Sequence, residues 1–185
     1  NAGGRFAVNG VTGQITVAAG ILLDYEAAAS HEITVRVTDE GGLTFDKAFT
    51  IAVADVYELD PSAVWVYGTS GNDSLSGTGV AEIFDGKQGN DYLQGNDGSD
   101  TYVYAAGDGN DVVNDQSGST TQIDTLKFTD LNASDLTVSR VGNNLFVGIN
   151  ATGETIRIDY QFYSPSFNYG IERFAFADGS SWDLQ

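Results

Sequence analysis

From Arg5 to about Asp55 apolar and polar residues alternate with a period of two. Phe6 and Val8, Ile15 and Val17, then Ile33, Val35 and Val37, then Phe49, Ile51 and Val53 fall on one side of successive segments. This pattern predicts β-strands that bury one face. Gly10, Thr12-Gly13 and Gly41-Gly42 separate them as turns. Between Gly68 and Asn114 the periodicity changes to nine residues: GTSGNDSLS, GTGVAEIFD, GKQGNDYLQ and GNDGSDTYV, then AGDGNDVVN after the extra pair Tyr104-Ala105. Each copy reads as a turn followed by a short strand with an apolar middle residue: Leu75, Phe84, Leu93, Tyr102 and Val113. From Asp115 to the end the period of two returns around Leu136, Val138, Leu145, Val147, Ile149, Ile156 and Ile158, with turns at Gly142-Asn143-Asn144 and Thr152-Gly153. No useful helix is predicted.

A three-residue strand cannot stand alone, so the nonapeptides are expected to stack into a solenoid that buries the apolar residues in columns. A flexible Gly/Asp linker would not need an apolar residue at every ninth position. Two nonapeptides make one coil, so turns on the same side lie two copies apart. Asp73, Asp91 and Asp111 should form one row, and Glu82 and Asp100 the other. The fourth-position glycines Gly71, Gly89, Gly98 and Gly109 let the backbone bend tightly and aim carbonyl oxygens inward. Carbonyls and carboxylates from adjacent turns suit calcium, which takes about six to eight oxygen ligands. Val80 and Glu82 interrupt the second turn, where weaker occupancy is expected.

Composition sharpens this picture. With 26 acidic against 8 basic residues the 185-residue chain carries a formal charge of −18, which excludes nucleic acid as a partner and favours cations. Cysteine is absent, leaving oxygen as the metal-binding chemistry. The 23 glycines fit a turn-rich fold, and no apolar stretch reaches the length of a membrane span. Methionine is absent too, so the sequence is expected to be a piece of a longer polypeptide.

Two resemblances follow. The nonapeptides resemble the RTX, or haemolysin-type calcium-binding, repeat GGxGxDxUx. That resemblance implies a parallel β-roll, Ca²⁺ as the bound ion, and secretion of the parent protein through a bacterial type I system. The run from DTLKFTDL to IERFAFADGSSW looks like the domain that follows such repeats, and implies that Asp115 and Asp124 hold a terminal calcium at the solenoid's exit. The N-terminal run FAVNGVTGQITV, LDYE, ITVRVTDEGG and FTIAVADV looks like the second half of a cadherin-like repeat, which implies calcium ligation by Asp24, Glu26 and Asp39. An immunoglobulin-like sandwich with surface acids fits the same pattern.

The expected architecture is therefore all-β: a partial cadherin-like β-sandwich over 1–58, a linker over 59–67, a calcium-binding β-roll over 68–114 and an antiparallel capping meander over 115–185. Because only the second half of such a repeat is present, Phe6 to Val17 is expected either to be disordered or to pair with strands of another chain or a cleaved companion peptide. The single histidine, His31, supports neither a catalytic triad nor a zinc site, so no enzyme is expected. The leading functional reading is a calcium-rigidified structural or adhesive module of a large secreted or cell-surface protein. The alternatives are a secretion and folding appendage of an upstream enzyme, and a calcium-dependent carbohydrate-binding module. The latter would use the aromatic cluster of Tyr160, Phe162, Tyr163, Phe167 and Tyr169.

Overall fold

A computed structural model describes residues 2–18, 23, 28–53, 59–164 and 168–184. The chain divides into two compact units, Asn1–Val56 and Tyr57–Gln185.

In the first unit β1 (Phe6–Val8) pairs antiparallel with β2 (Ile15–Val17), and β3 (Ser30–Thr38) pairs antiparallel with β4 (Thr44–Ala52). Phe6 to Val17 is an ordered hairpin whose two strands pair with each other in a two-stranded sheet of their own. The Asn9 carboxamide closes their turn by accepting the N–H groups of Val11 and Thr12. Among the described residues of this unit Phe6 and Ile33 are the buried apolar ones, with the His31 ring 5.8 Å from that of Phe6. Asp24 and Glu26 lie outside the described residues. Asp39 is an exposed turn residue whose Oδ1 accepts the N–H of Leu43.

The second unit is a solenoid of two six-stranded sheets. One contains β5 (Val64–Tyr67), β7 (Glu82–Asp85), β9 (Thr101–Tyr104), β12 (Thr125–Phe128) and β17 (Arg173–Ala175), all parallel, with β18 (Ser181–Asp183) antiparallel at the edge. The other contains β6 (Ser74–Ser76), β8 (Tyr92–Gln94), β10 (Val112–Val113) and β15 (Thr155–Ile158) in parallel, continued antiparallel by β14 (Asn144–Ile149) and β13 (Leu136–Val141). The region after the repeats is therefore more than an antiparallel meander: β12, β15 and β17 continue the parallel roll, and β13, β14 and β18 close it.

Register explains the nine-residue apolar spacing. Val66, Phe84, Tyr102, Leu126 and Phe174 are aligned across one sheet, and Leu75, Leu93, Val113 and Ile158 across the other. From Phe84 and Leu93 onward these residues are buried, and the Phe84 and Tyr102 rings stack at 5.2 Å. With the Tyr104-Ala105 insertion β9 ends at Tyr104, which pairs with Phe128 and joins the core.

Candidate metal centre

The turns between strands stack in two rows, and hydrogen bonds fix the carboxylates within each. In the first row Asp91 Oδ1 accepts the N–H of Asp73, and Asp111 Oδ1 accepts that of Asp91. In the second, Asp100 Oδ1 accepts the N–H of Glu82, Asp124 Oδ1 accepts that of Asp100, and Glu172 Oε2 accepts that of Asp124. The repeat spacing brings together all five predicted row acids. Glu172 joins them from 48 positions beyond Asp124 in the sequence.

In Asp91, Asp100 and Asp124 one carboxylate oxygen is thus held by the backbone of the neighbouring coil, and the second is left over. Glu82 Oε2, Asp91 Oδ2, Asp100 Oδ2, Asp115 Oδ1 and Asp124 Oδ2 are buried with no hydrogen-bond partner. Leaving such an oxygen unsatisfied in a protein interior is costly unless a cation or donor meets it.

Three of these acids converge. Asp100, Asp115 and Asp124 are each 0% exposed, and each offers an oxygen within 4.8 Å of the others. Asp115 arrives from the segment after β10, and its Oδ2 accepts the Tyr102 hydroxyl at 2.7 Å. Burial first, then the neighbouring charges, pushes Asp115 up to about 8 and Asp124 up to about 9. Burial raises Asp100 and Asp111 to about 7. Tyr102, desolvated beside Asp115, is raised well above the ordinary phenol range.

The glycines supply the remaining walls. A methyl group at Gly89 would lie 2.7 Å from the Gly71 carbonyl oxygen and 2.8 Å from Asp91 Oδ1. At Gly98 it would lie 2.5 Å from the Val80 carbonyl oxygen and 2.8 Å from Asp100 Oδ1. At Gly109 it would overlap the Gly89 carbonyl, and at Gly86 it would sit 2.5 Å from Asp91 Oδ2. Gly89, Gly98 and Gly109 also have φ of +144°, +144° and +113°. Gly71 has no such constraint, and a methyl there meets only Thr69 Oγ1 at 3.9 Å. Gly71 and Val80 occupy the first turn of their rows, where no earlier coil presses on the backbone. This accounts for a valine at position 80.

Glu82 also reproduces its aspartate counterpart. Asp73 Oδ2 accepts the N–H and hydroxyl of Thr69, and Glu82 Oε1 accepts both groups of Thr78. The carboxylates and inward carbonyls make an all-oxygen donor set without nitrogen or sulfur, which suits a hard divalent cation.

Two features escaped the sequence reading. The Oδ1 atoms of Asn72 and Asn90 accept the N–H groups of Asn90 and Asn110, and Asn110 Oδ1 accepts that of Thr155, a ladder running opposite to the aspartate one. The first row also ends differently from the second. Glu154 Oε2 accepts from the Gly107 N–H, Tyr104 hydroxyl and Thr152 hydroxyl. Although its desolvation opposes this, those bonds hold Glu154 below the usual carboxylate range. The recurring Asn of GND was the available signal for the ladder, whereas nothing local marks Glu154 or Glu172.

Comparison with known proteins agrees with this chemistry. Residues 144–185 match the family model of the haemolysin-type calcium binding protein related domain, and the parallel solenoid ahead of them is the architecture of RTX repeats. The chain is also similar to cadherin-related family member 1 of Xenopus laevis, at 29% identity over 123 residues. That match spans 57% of this chain and 14% of the Xenopus protein. Among the described residues no helix is long and apolar enough to cross a membrane.

Proposed function

We propose that the second unit is a calcium-binding structural module whose two rows of turn carboxylates hold the ions, and whose folding depends on them. The observation that carries this reading is the set of buried, donor-less carboxylate oxygens, above all those of Asp100, Asp115 and Asp124. Like charges this close oppose folding unless a cation lies among them. Bound Ca²⁺ supplies the positive charge that offsets their repulsion and desolvation.

In the first row the ligands are Asp73, Asp91 and Asp111 with carbonyls of the turns containing Gly71, Gly89 and Gly109. In the second they are Glu82, Asp100 and Asp124 with the turn containing Gly98, and Asp115 completes the exit site. Asp24 and Glu26 are proposed as ligands of the N-terminal unit, on the cadherin-like motif that contains them. The module acts by binding and stiffening rather than by catalysis, because these acids serve as ion ligands. A secreted or surface protein with an adhesive role is the setting that fits best: millimolar extracellular calcium would load such sites, and the Xenopus relative is named as cadherin-related.

Calorimetric titration of the EDTA-stripped chain with calcium tests the reading. Saturable binding of more than one ion, weakened in Asp100→Asn, is expected. Equal heats in the presence of magnesium and calcium, or none with either, would contradict it.

A further inference from the structure

A second site lies beside the exit cluster. Tyr160, Tyr163, Tyr169 and Gln116 line a cavity of about 240 Å³. The Tyr163 and Tyr169 rings stack at 5.8 Å and 25°, while Tyr160 stands across them at 84° and 65°. Tyr160 and Tyr163 remain 41% and 53% exposed, which leaves aromatic surface open to a ligand.

The walls are held in place by their neighbours. Tyr160 is kept at φ +61°, rare for a non-glycine residue, with its N–H donated to Asn144 Oδ1. The Gln161 carboxamide clamps Ile171 by donating to its carbonyl and accepting its N–H, which joins the two ends of the tyrosine loop. Gln116 Nε2 donates to Asn114 Oδ1, and Asn114 in turn donates to the Tyr92 hydroxyl. That chain fixes the Gln116 carboxamide against the cavity.

The lining chemistry selects a ligand class. Among the described residues none that lines the cavity carries a formal charge. A quaternary ammonium has no N–H or O–H and cannot use the oriented amide and phenol groups that share the cavity with the ring faces. Ring faces suit the C–H faces of a sugar ring, and the phenol and amide groups suit its hydroxyls. We propose that this cavity is a subsite for a neutral pyranose.

The site is also tied to the metal centre, and this part rests on the calcium reading. β11 (Gln116–Ser117) pairs with β16 (Asn168–Tyr169), placing Gln116 directly opposite Tyr169. Asp115 immediately precedes Gln116, and its carbonyl accepts the N–H of Gly170. The residue whose side chain joins the acid cluster therefore holds, through its backbone, two of the four walls. Ordering of Asp115 by a cation orders the sugar site.

The test is saturation-transfer NMR of the full chain with methyl glucopyranoside, methyl galactopyranoside, methyl mannopyranoside, N-acetylglucosamine and, as a control, tetramethylammonium. Calcium loading is followed separately by calorimetry on the same samples. The site predicts transfer to at least one pyranoside in calcium, at least tenfold weaker binding in Tyr163→Ala and Gln116→Ala with unchanged calcium heats, and loss of transfer in EDTA. Absence of transfer to every pyranoside by the calcium-loaded chain, or binding indifferent to Tyr163→Ala, would overturn the subsite. Transfer to tetramethylammonium alone would overturn the neutral ligand. Undiminished sugar binding in EDTA would overturn the coupling, whereas missing calcium heats would count against the metal reading alone.

Discussion

Asp124 shows how the sign of a residue's contribution depends on what surrounds it. Its Oδ1 is paired with the Asp100 N–H, and its Oδ2 is buried without a partner. An asparagine keeps the paired acceptor and removes the charge. Asp124→Asn is therefore predicted to raise the thermal midpoint in EDTA and to lower calcium affinity at least tenfold, measured by scanning calorimetry and calcium titration. A lower midpoint in both conditions would show that the charge is not what strains the cation-free fold. The glycines allow a second contrast at this scale. Gly71→Ala makes only an ordinary contact with Thr69 Oγ1 at 3.9 Å and should change stability by no more than about 0.5 kcal/mol. Gly98→Ala presses on the Val80 carbonyl at φ +144° and should cost about 1–3 kcal/mol in chemical denaturation with calcium present.

At the scale of the stacked turns, burial holds four acids above the ordinary carboxylate range in the cation-free chain. Asp100 and Asp111 lie at about 7, Asp115 at about 8 and Asp124 at about 9, all raised chiefly by burial. A carboxyl whose pKa rises on folding favours the folded state when protonated. That stabilisation is complete below the unfolded value of about 4 and is lost as pH rises through about 7 to 9. In EDTA the thermal midpoint should accordingly increase as pH falls from about 9 to 5. In calcium it should decrease over the same range, because protons compete with the ion for the same oxygens. A midpoint in EDTA that falls with acid would contradict this. In the asparagine ladder Asn90 Oδ1 accepts the N–H and the side-chain amide of Asn110, so Asn90→Ala, which keeps its own N–H bond to Asn72, should cost about 0.5–1.5 kcal/mol in calcium. Much of this element was legible in the sequence: nine-residue spacing fixes both the apolar columns and the side of the roll on which each acid falls. The inferred Asp115 and Asp124 do meet Asp100 in the structure. Glu172 and Glu154 were not legible, because the β13–β14 excursion separates them from their rows and no local pattern survives that distance. The parallel pairing of β15 and β17 was hidden for the same reason, since period-two alternation marks a strand but not its partner's direction.

For the whole molecule the dominant fact is a formal charge of −18 with part of it buried in one unit. Among its described residues the first unit buries Phe6 and Ile33 in two hairpin sheets and has none of the buried acids, so these strands should respond less to calcium than the roll. The second unit encloses a continuous apolar core, yet the turns that order its short strands hold the unpaired carboxylates. Calcium should then act as a folding ligand, stabilising the roll in proportion to the logarithm of its concentration. The most direct test is far-ultraviolet circular dichroism with limited proteolysis of the full chain at about pH 8, first in EDTA and then through a calcium titration. The predicted result is a gain in β-structure and protection of fragments from residues 59–184 as calcium reaches the roughly 10⁻⁴ to 10⁻³ M range of extracellular modules. A second unit as ordered and as protected in EDTA as in calcium would contradict it.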